Sequence, residues 1–274
     1  MAEVADHFER PLRQRFTEFI RNRNQRALSI IETLQTMRMR GWTAFLFGGI
    51  PRGIFDSGRN YRPRDLDLVF DDEHFSYFES AFEHFLERRN NYGGLRMRIR
   101  GLSVDAWPLS ATWAFREGCV KEPSFERLPR TTFLNIDGLI VEAISQKGKK
   151  RRIYEAGFLK GWNSKTLDIN LRENPHPGIC VARTLHISRH YGFKISHQLS
   201  FYLWEVLSTL PLTKIQSAQV SHYGTVEFDV QELQQIRQRL EKHLSLSPLF
   251  PLALFPTSAV QNELPLRLDG TRSW

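Results

Sequence analysis

Residues 47–70 read FGGIPRGIFDSGRNYRPRDLDLVF: two adjacent glycines, four arginines, then two carboxylates separated by one leucine. Alternate residues of a β-strand share a face, so a strand over 65–70 puts Asp65 and Asp67 side by side, their Cα atoms roughly 6.5–7 Å apart. Carboxylates that close repel unless a cation sits between them. Mg²⁺ suits the position, because it prefers hard oxygen ligands and is usually held by one or two carboxylates with substrate phosphates and water. The turn at Gly48 and Gly49 lets backbone N–H groups approach an anion closely. Arg52, Arg59, Arg62 and Arg64 offer positive charge and forked donors for the remaining phosphate oxygens. Strand, glycine turn, short helix and DxD strand thus compose one site for a metal-bound triphosphate. A DxD pattern also occurs on solvated strand edges paired to arginines, and glycosyltransferases use it for metal-bound nucleotide sugars.

Two-metal phosphoryl transfer needs a further carboxylate. Asp105, a lone acid among small and apolar residues in SVDAW, is the best candidate. Its rival Asp137 is explained by an Asp-Gly turn without chemistry.

Around this centre the hydrophobic periodicity predicts a helix or helix pair over 13–40 stopped by Gly41, then a strand over 43–49. After the DxD strand comes a helix over 71–90, with acids at its start and arginines at its end. Residues 95–100 (LRMRIR) alternate strictly and 102–109 continue as strand, which leaves Arg96, Arg98 and Arg100 on a solvated face. Residues 131–144 read as a hairpin about Asp137-Gly138. About five strands with one or two helices give an α+β pattern. The basic run KGKKRR (147–152) marks a boundary, read as a solvated loop or as a grip on an acceptor's phosphates. Helices follow over 177–193, 196–210 and 230–246, then a proline-containing tail. The expected organisation is an N-terminal helical segment (1–40), a palm-like domain (41–150), a helical domain (151–246) and a C-terminal tail (247–274).

The 274 residues carry a net charge of +8, which favours a polyanionic partner such as nucleic acid or a nucleoside triphosphate. Two cysteines without a CxxC pair argue against a disulfide framework or structural zinc and for a reducing cytoplasm. The first residues lack the apolar core of a secretory signal, and no apolar run approaches ~18 residues, so a soluble intracellular protein with no membrane partner is expected. His176, His186, His190 and His197 show no metal-ligand spacing; His186 and His190 share a helix face, but no HExxH-type acid accompanies them. Trp107 and Trp113 read as core rather than as base-stacking platforms.

FLFGGIPRG followed by RPRDLDLVF resembles the glycine-pair, arginine and DxD signature of the DNA polymerase beta-like nucleotidyltransferase superfamily. It is nearest to the branch of tRNA CCA-adding enzymes and bacterial poly(A) polymerases. ENPHPGICVARTLHISRHYGFKIS (173–196) resembles the helix after the palm in that branch, and LPRTTFLNIDGLIV (128–141), more loosely, its RRDFTINAL strand. The resemblance spans roughly residues 25–205 and implies a nucleotidyltransferase palm followed by a helical domain. It implies that Gly48 and Gly49 border the triphosphate and that Arg52, Arg64, Arg130 and Arg183 bind the nucleotide. Asp65, Asp67 and Asp105 would be the catalytic acids and the ligands of two Mg²⁺ ions, with Mn²⁺ an alternative. Three departures accompany it. The branch's VRD is PRG here, so the acid is missing at Gly53; its RRDF is PRTTF; and the 177–193 helix carries Arg183 and Arg189 without a matching acid. These departures point to a divergent transferase with its own base choice and acceptor. The implied reaction moves a nucleotidyl group from an NTP to a hydroxyl, with an RNA (tRNA-like) 3′ end as the expected acceptor and a toxin or defence role among its uses. A protein side chain or small molecule as acceptor, and a non-catalytic nucleotide-binding module, are the alternatives; the nucleotide and the oligomeric state stay open.

Overall fold

In a computed structural model of the chain, which describes residues 2–21, 25–99, 101–144, 149–246 and 250–255, the DxD strand is the middle of a seven-stranded mixed sheet. Two helices precede it, α1 (Ala2–Arg21) and α2 (Gln25–Met39), and Gly41 ends the second with φ +71. Leu12, Phe16 and Phe19 recur at helical spacing on α1 and are buried, the stripe expected of a helix lying on a core. β1 (Ala44–Leu46) enters the glycine turn, α3 (Gly49–Ser57) leaves it, and β2 (Asp65–Phe70) returns antiparallel to β1.

α4 (Asp72–Phe82) begins at Asp71, whose side chain accepts the His74 N–H at 2.9 Å, and buries Phe75, Phe78 and Phe82. The helix expected to reach residue 90 stops short of it. After a turn at 83–85 the chain forms the edge strand β3 (Leu86–Arg89), followed by β4 (Leu95–Ile99) and β5 (Leu102–Pro108). A one-turn helix α5 (Trp113–Arg116) lies in the following loop, then come β6 (Leu139–Glu142) and β7 (Ile153–Glu155). Strand order is β3-β4-β5-β2-β1-β6-β7, and β2 and β5 are parallel neighbours. The hairpin expected about Asp137 does not form. Residues 135–137 make a tight helical turn, and β6 pairs instead with β1 and β7.

The two sheet faces differ in chemistry. Leu66, Leu68 and Phe70 of β2, Val104 and Ala106 of β5, and Ala44 and Leu46 of β1 face the main core, where α4 packs on β2 and β5 and α2 on β5. The opposite face carries Asp65, Asp67 and Val69, Asp105 and Trp107, and Phe45. Its far end is closed by a small apolar cluster that includes Phe45, Val69, Leu109, Phe115, Leu128 and Ile140. The near end is open.

Beyond the sheet come α6 (Phe158–Ser164), β8 (Thr166–Leu167), α7 (Pro177–Tyr191), β9 (Lys194–Ile195), α8 (His197–Thr209), α9 (Leu212–Tyr223) and α10 (Val230–Leu246). β8 and β9 form a two-stranded parallel pair. α7 starts with Pro177 in its first turn and ends at Gly192 with φ +65, packing against α8 and α9. Asn135 ties the sheet to this part: its Nδ2 donates to the Thr166 carbonyl at 3.1 Å and its Oδ1 accepts the Asp168 N–H at 3.1 Å.

Of the basic run, Arg152 pairs with the buried Glu142 at 2.7 Å and lies over the Phe45 ring, while residues 147 and 148 fall outside the described residues. So do Arg100, the Arg59 side chain and the tail beyond residue 255. Among the described residues no helix is long and apolar enough to cross a membrane.

Candidate active site

Gly48 shows why the local sequence takes its form. Its φ of +66 is disfavoured for any side-chain-bearing residue, and a Cβ there would stand 2.3 Å from Asp67 Oδ2. Only glycine lets the backbone lie against the acid. α3 starts at the next residue, and no side chain caps its first turn, so its leading N–H groups and the positive end of its dipole are available to an anion.

Parallel pairing of β2 and β5 sets Asp65 opposite Ser103 and Asp67 opposite Asp105. Paired residues on adjacent strands point to the same face about 4.8 Å apart, so all three acids meet at the open end of the sheet. They line a cleft of about 940 Å³ together with Gly48, Gly49, Arg52 and Arg64. α7 and the end of α9 form its other wall through Arg183, Tyr191, His222 and Tyr223.

The three carboxylates are held differently. Asp105, 8% exposed, accepts both Nε (2.8 Å) and Nη2 (2.6 Å) of Arg96. Asp65 accepts Nε and Nη2 of Arg64 at 3.2 and 3.0 Å. Asp67 has no side-chain hydrogen bond among the described residues, and burial, then the Asp65 and Asp105 charges, push its carboxyl up to about 8. Arg64 and Arg96 draw the outer acids apart, and the three do not bring one oxygen each within 4.8 Å of one another. Arg96 therefore corrects the reading of 95–100 as a wholly solvated stripe. Arg96, opposite Asp105 in the β4–β5 register, enters the site, and Arg98, opposite Ser103 on the same face, also lines the cleft while pairing with Glu87 at 2.6 Å.

Asp137 is a second correction. It is buried behind two cleft-lining arginines, accepting Nε and Nη2 of Arg183, both at 2.7 Å, and Nη1 of Arg52. Burial opposes its charge, yet the Arg183 and Arg52 guanidiniums hold its carboxyl below the usual range. One carboxylate thus aims two of the expected nucleotide-binding arginines. Of the other two, Arg64 lines the cleft paired with Asp65, whereas Arg130 is exposed on the turn at 128–131 and does not line the cleft.

Tyr61, His222 and Tyr223 were not among the expected site residues. The Tyr61 hydroxyl donates to the Gly49 carbonyl at 3.4 Å, and its ring covers Gly53. Burial, then the Arg183 and Arg64 charges, lower His222 to about 4, so its imidazole is neutral at pH 7. Nothing in their local sequence marks them; the packing of α9 against α7 brings the last two in. Trp107 and Trp113, expected in the core, are half-buried and line a pocket of about 260 Å³ with Phe47, Val69 and Tyr92, on the acid-bearing face two residues beyond Asp67 and Asp105.

No protein-family model matches the sequence, and no curated protein matches it. Solved structures do match. A tRNA nucleotidyltransferase complexed with a primer tRNA and an incoming ATP analogue superposes with a TM-score of 0.53 at 15% identity, over 77% of this chain and 61% of that one. The Thermotoga maritima CCA-adding enzyme complexed with tRNA gives 0.58 at 10% identity, over 82% and 53%. A CCA-adding enzyme in complex with CTP gives 0.58 at 11% identity, over 82% and 54%. The chain thus spans little more than half the length of the structures it matches. It has the fold of the tRNA nucleotidyltransferases and CCA-adding enzymes, a palm sheet followed by a helical part.

Proposed function

We propose that the protein is a metal-dependent nucleotidyltransferase that moves a nucleotidyl group from an NTP to a hydroxyl acceptor, with an RNA 3′ end as that acceptor. One observation carries the reading: Asp105 lies in register beside Asp67 on parallel strands, next to a glycine-started helix whose first turn is uncapped.

The acids suit a divalent cation. Among the described residues Asp67 is a carboxylate without a side-chain hydrogen bond, between two others, and all three offer hard oxygen ligands. Asp65 and Asp67 would hold one Mg²⁺ and share a second with Asp105. When bound, the metal would neutralise the triphosphate and lower the pKa of the attacking hydroxyl. The α3 N-terminus and the Gly48–Gly49 backbone would seat the triphosphate tail, while Arg64 and Arg96, freed from Asp65 and Asp105, would turn to phosphate oxygens. Arg52 and Arg183, steadied by Asp137, present fixed positive charge across the cleft.

The acceptor oxygen attacks the α-phosphorus in line, a new P–O bond forms, and the bond to the bridging oxygen breaks to release pyrophosphate. The hydroxyl proton leaves to solvent or to an acid of the site, and no covalent enzyme intermediate is needed. An RNA acceptor is supported by the net charge of +8 and by the tRNA bound in structures of the same fold. The test incubates the protein with each labelled NTP, Mg²⁺ and total RNA, beside Asp65→Asn and Asp67→Asn. A discrete labelled RNA band with the unaltered protein alone is expected, and equal labelling by the variants would overturn the assignment of the acids.

A further inference from the structure

A second cluster of ligand-type side chains lies in the α7 wall of the cleft. His186 and His190 stand one helical turn apart on α7, their ring centroids separated by 4.4 Å. Glu227, from the turn between α9 and α10, reaches both: Oε2 is 2.6 Å from His186 Nδ1, and Oε1 is 3.0 Å from His190 Nε2. One ligand atom from each lies within 4.8 Å of the others, and among the described residues this is the one group of three or more His, Cys, Asp or Glu that does so. The acid that a local motif search misses is therefore supplied from 37 and 41 residues away.

We infer that His186, His190 and Glu227 form a binding site for a transition-metal ion of the Zn²⁺ class, separate from the aspartate site. Two imidazoles and one carboxylate are a donor set that zinc accepts, with a fourth position left for water. Ligand atoms around a tetrahedral zinc, bonded at about 2.0–2.1 Å, stand about 3.3 Å from one another, so the His–Glu contacts need open by less than about 1 Å. Arg189 is the nearby opposing charge. Its Nη1 is 3.8 Å from Glu227 Oε1, but its Nη2 pairs with Glu232 and its guanidinium is stacked over Phe228 and Phe255. Its Nη1 also donates to the Glu227 carbonyl at 3.5 Å, which fixes the backbone that presents the carboxylate. The ion would clip α7 to the α9–α10 turn. The Tyr223 ring stacks on His186 at 4.6 Å, and His186 and Tyr223 both line the cleft, so the clip would stiffen the wall opposite the acids.

The experiment strips the full chain of metal with a chelator and titrates it with ZnCl₂ at pH 7.5 by calorimetry, with Mg²⁺ in excess to saturate the aspartates. One equivalent of Zn²⁺ should bind at micromolar or tighter affinity, and Co²⁺ in its place should give the visible absorption of a four- or five-coordinate ion. His190→Ala alters a half-exposed side chain and should weaken binding by at least about tenfold, as should Glu227→Gln. Asp65→Asn with Asp67→Asn should bind Zn²⁺ as the unaltered chain does. Absence of saturable binding, binding untouched by His190→Ala, or binding lost in the aspartate variant would each overturn the site. Nucleotidyl transfer enters none of these readouts, so the two readings fail separately.

Discussion

Replacing Asp67 by Asn should stabilise the metal-free protein while abolishing turnover. The carboxyl ionises near 3.8 in an unfolded chain and is pushed up to about 8 by burial and by the Asp65 and Asp105 charges. A folded value above the unfolded one means that the fold favours the protonated acid. That contribution is fully present below pH 3.8 and is lost as pH rises through about 8. Over that window the gap, at 1.36 kcal/mol per pK unit, is worth about 6 kcal/mol as a ceiling. Relaxation and water entry around the carboxylate should reduce this to about 2–4 kcal/mol. Asn keeps the shape and carries no charge, so it escapes the penalty. Urea unfolding in EDTA between pH 5 and 9 measures the effect: the variant should exceed the unaltered chain most at pH 8–9 and converge with it toward pH 5. Saturating Mg²⁺ should then close the difference, since a ligand at 100 times its dissociation constant adds about 2.7 kcal/mol to a protein that binds it. A variant less stable in EDTA at pH 8, or an equal response of both proteins to Mg²⁺, would refute the reasoning.

Two further substitutions probe the scaffold of the site. Gly48→Ala places a methyl against Asp67 at a φ of +66 and should cost at least about 1–2 kcal/mol by thermal melting, with activity reduced by more than about a hundredfold; near-normal turnover would show that the turn can shift. Asp137→Asn removes the anion shared by Arg52 and Arg183 and should destabilise by about 3 kcal/mol in urea, with a raised KM for NTP; an unchanged midpoint would mean that the two guanidiniums find other partners.

What the sequence revealed of this protein was local. β2 could be read because its period of two sorts Asp65, Asp67 and Val69 from Leu66, Leu68 and Phe70, and Gly48 because its turn needs a residue without a side chain. Asp105 could be proposed as a lone acid in a strand, but its place beside Asp67 depends on which strands pair. Asp137 was hidden by a stronger local signal. Asp-Gly is a hairpin turn by propensity, yet tertiary contacts to Arg183 and Arg52, 46 and 85 residues away, fold the segment otherwise. The 71–90 helix carried the charge pattern of one long helix, but residues 86–89 are taken by the sheet edge, where β3 pairs with β4. α9 escaped notice because it buries little more than Ile215 and Gln219 and so shows no stripe.

The ring of Tyr61 over Gly53 bears on which residues can stand beside Arg52 on α3. Any Cβ at position 53 would fall 2.1 Å from Tyr61 Cε2 and 2.3 Å from Cζ. Tyr61 meets Phe19 of α1 with ring centroids 6.3 Å apart, donates its hydroxyl to the Gly49 carbonyl, and lines the cleft, so a side chain at 53 would have to push its ring from that position. A carboxylate grafted onto that helix would have to come with a shift of the Tyr61 ring. Positions 53 and 61 are therefore coupled: what can stand beside Arg52 at 53 depends on where the Tyr61 ring sits.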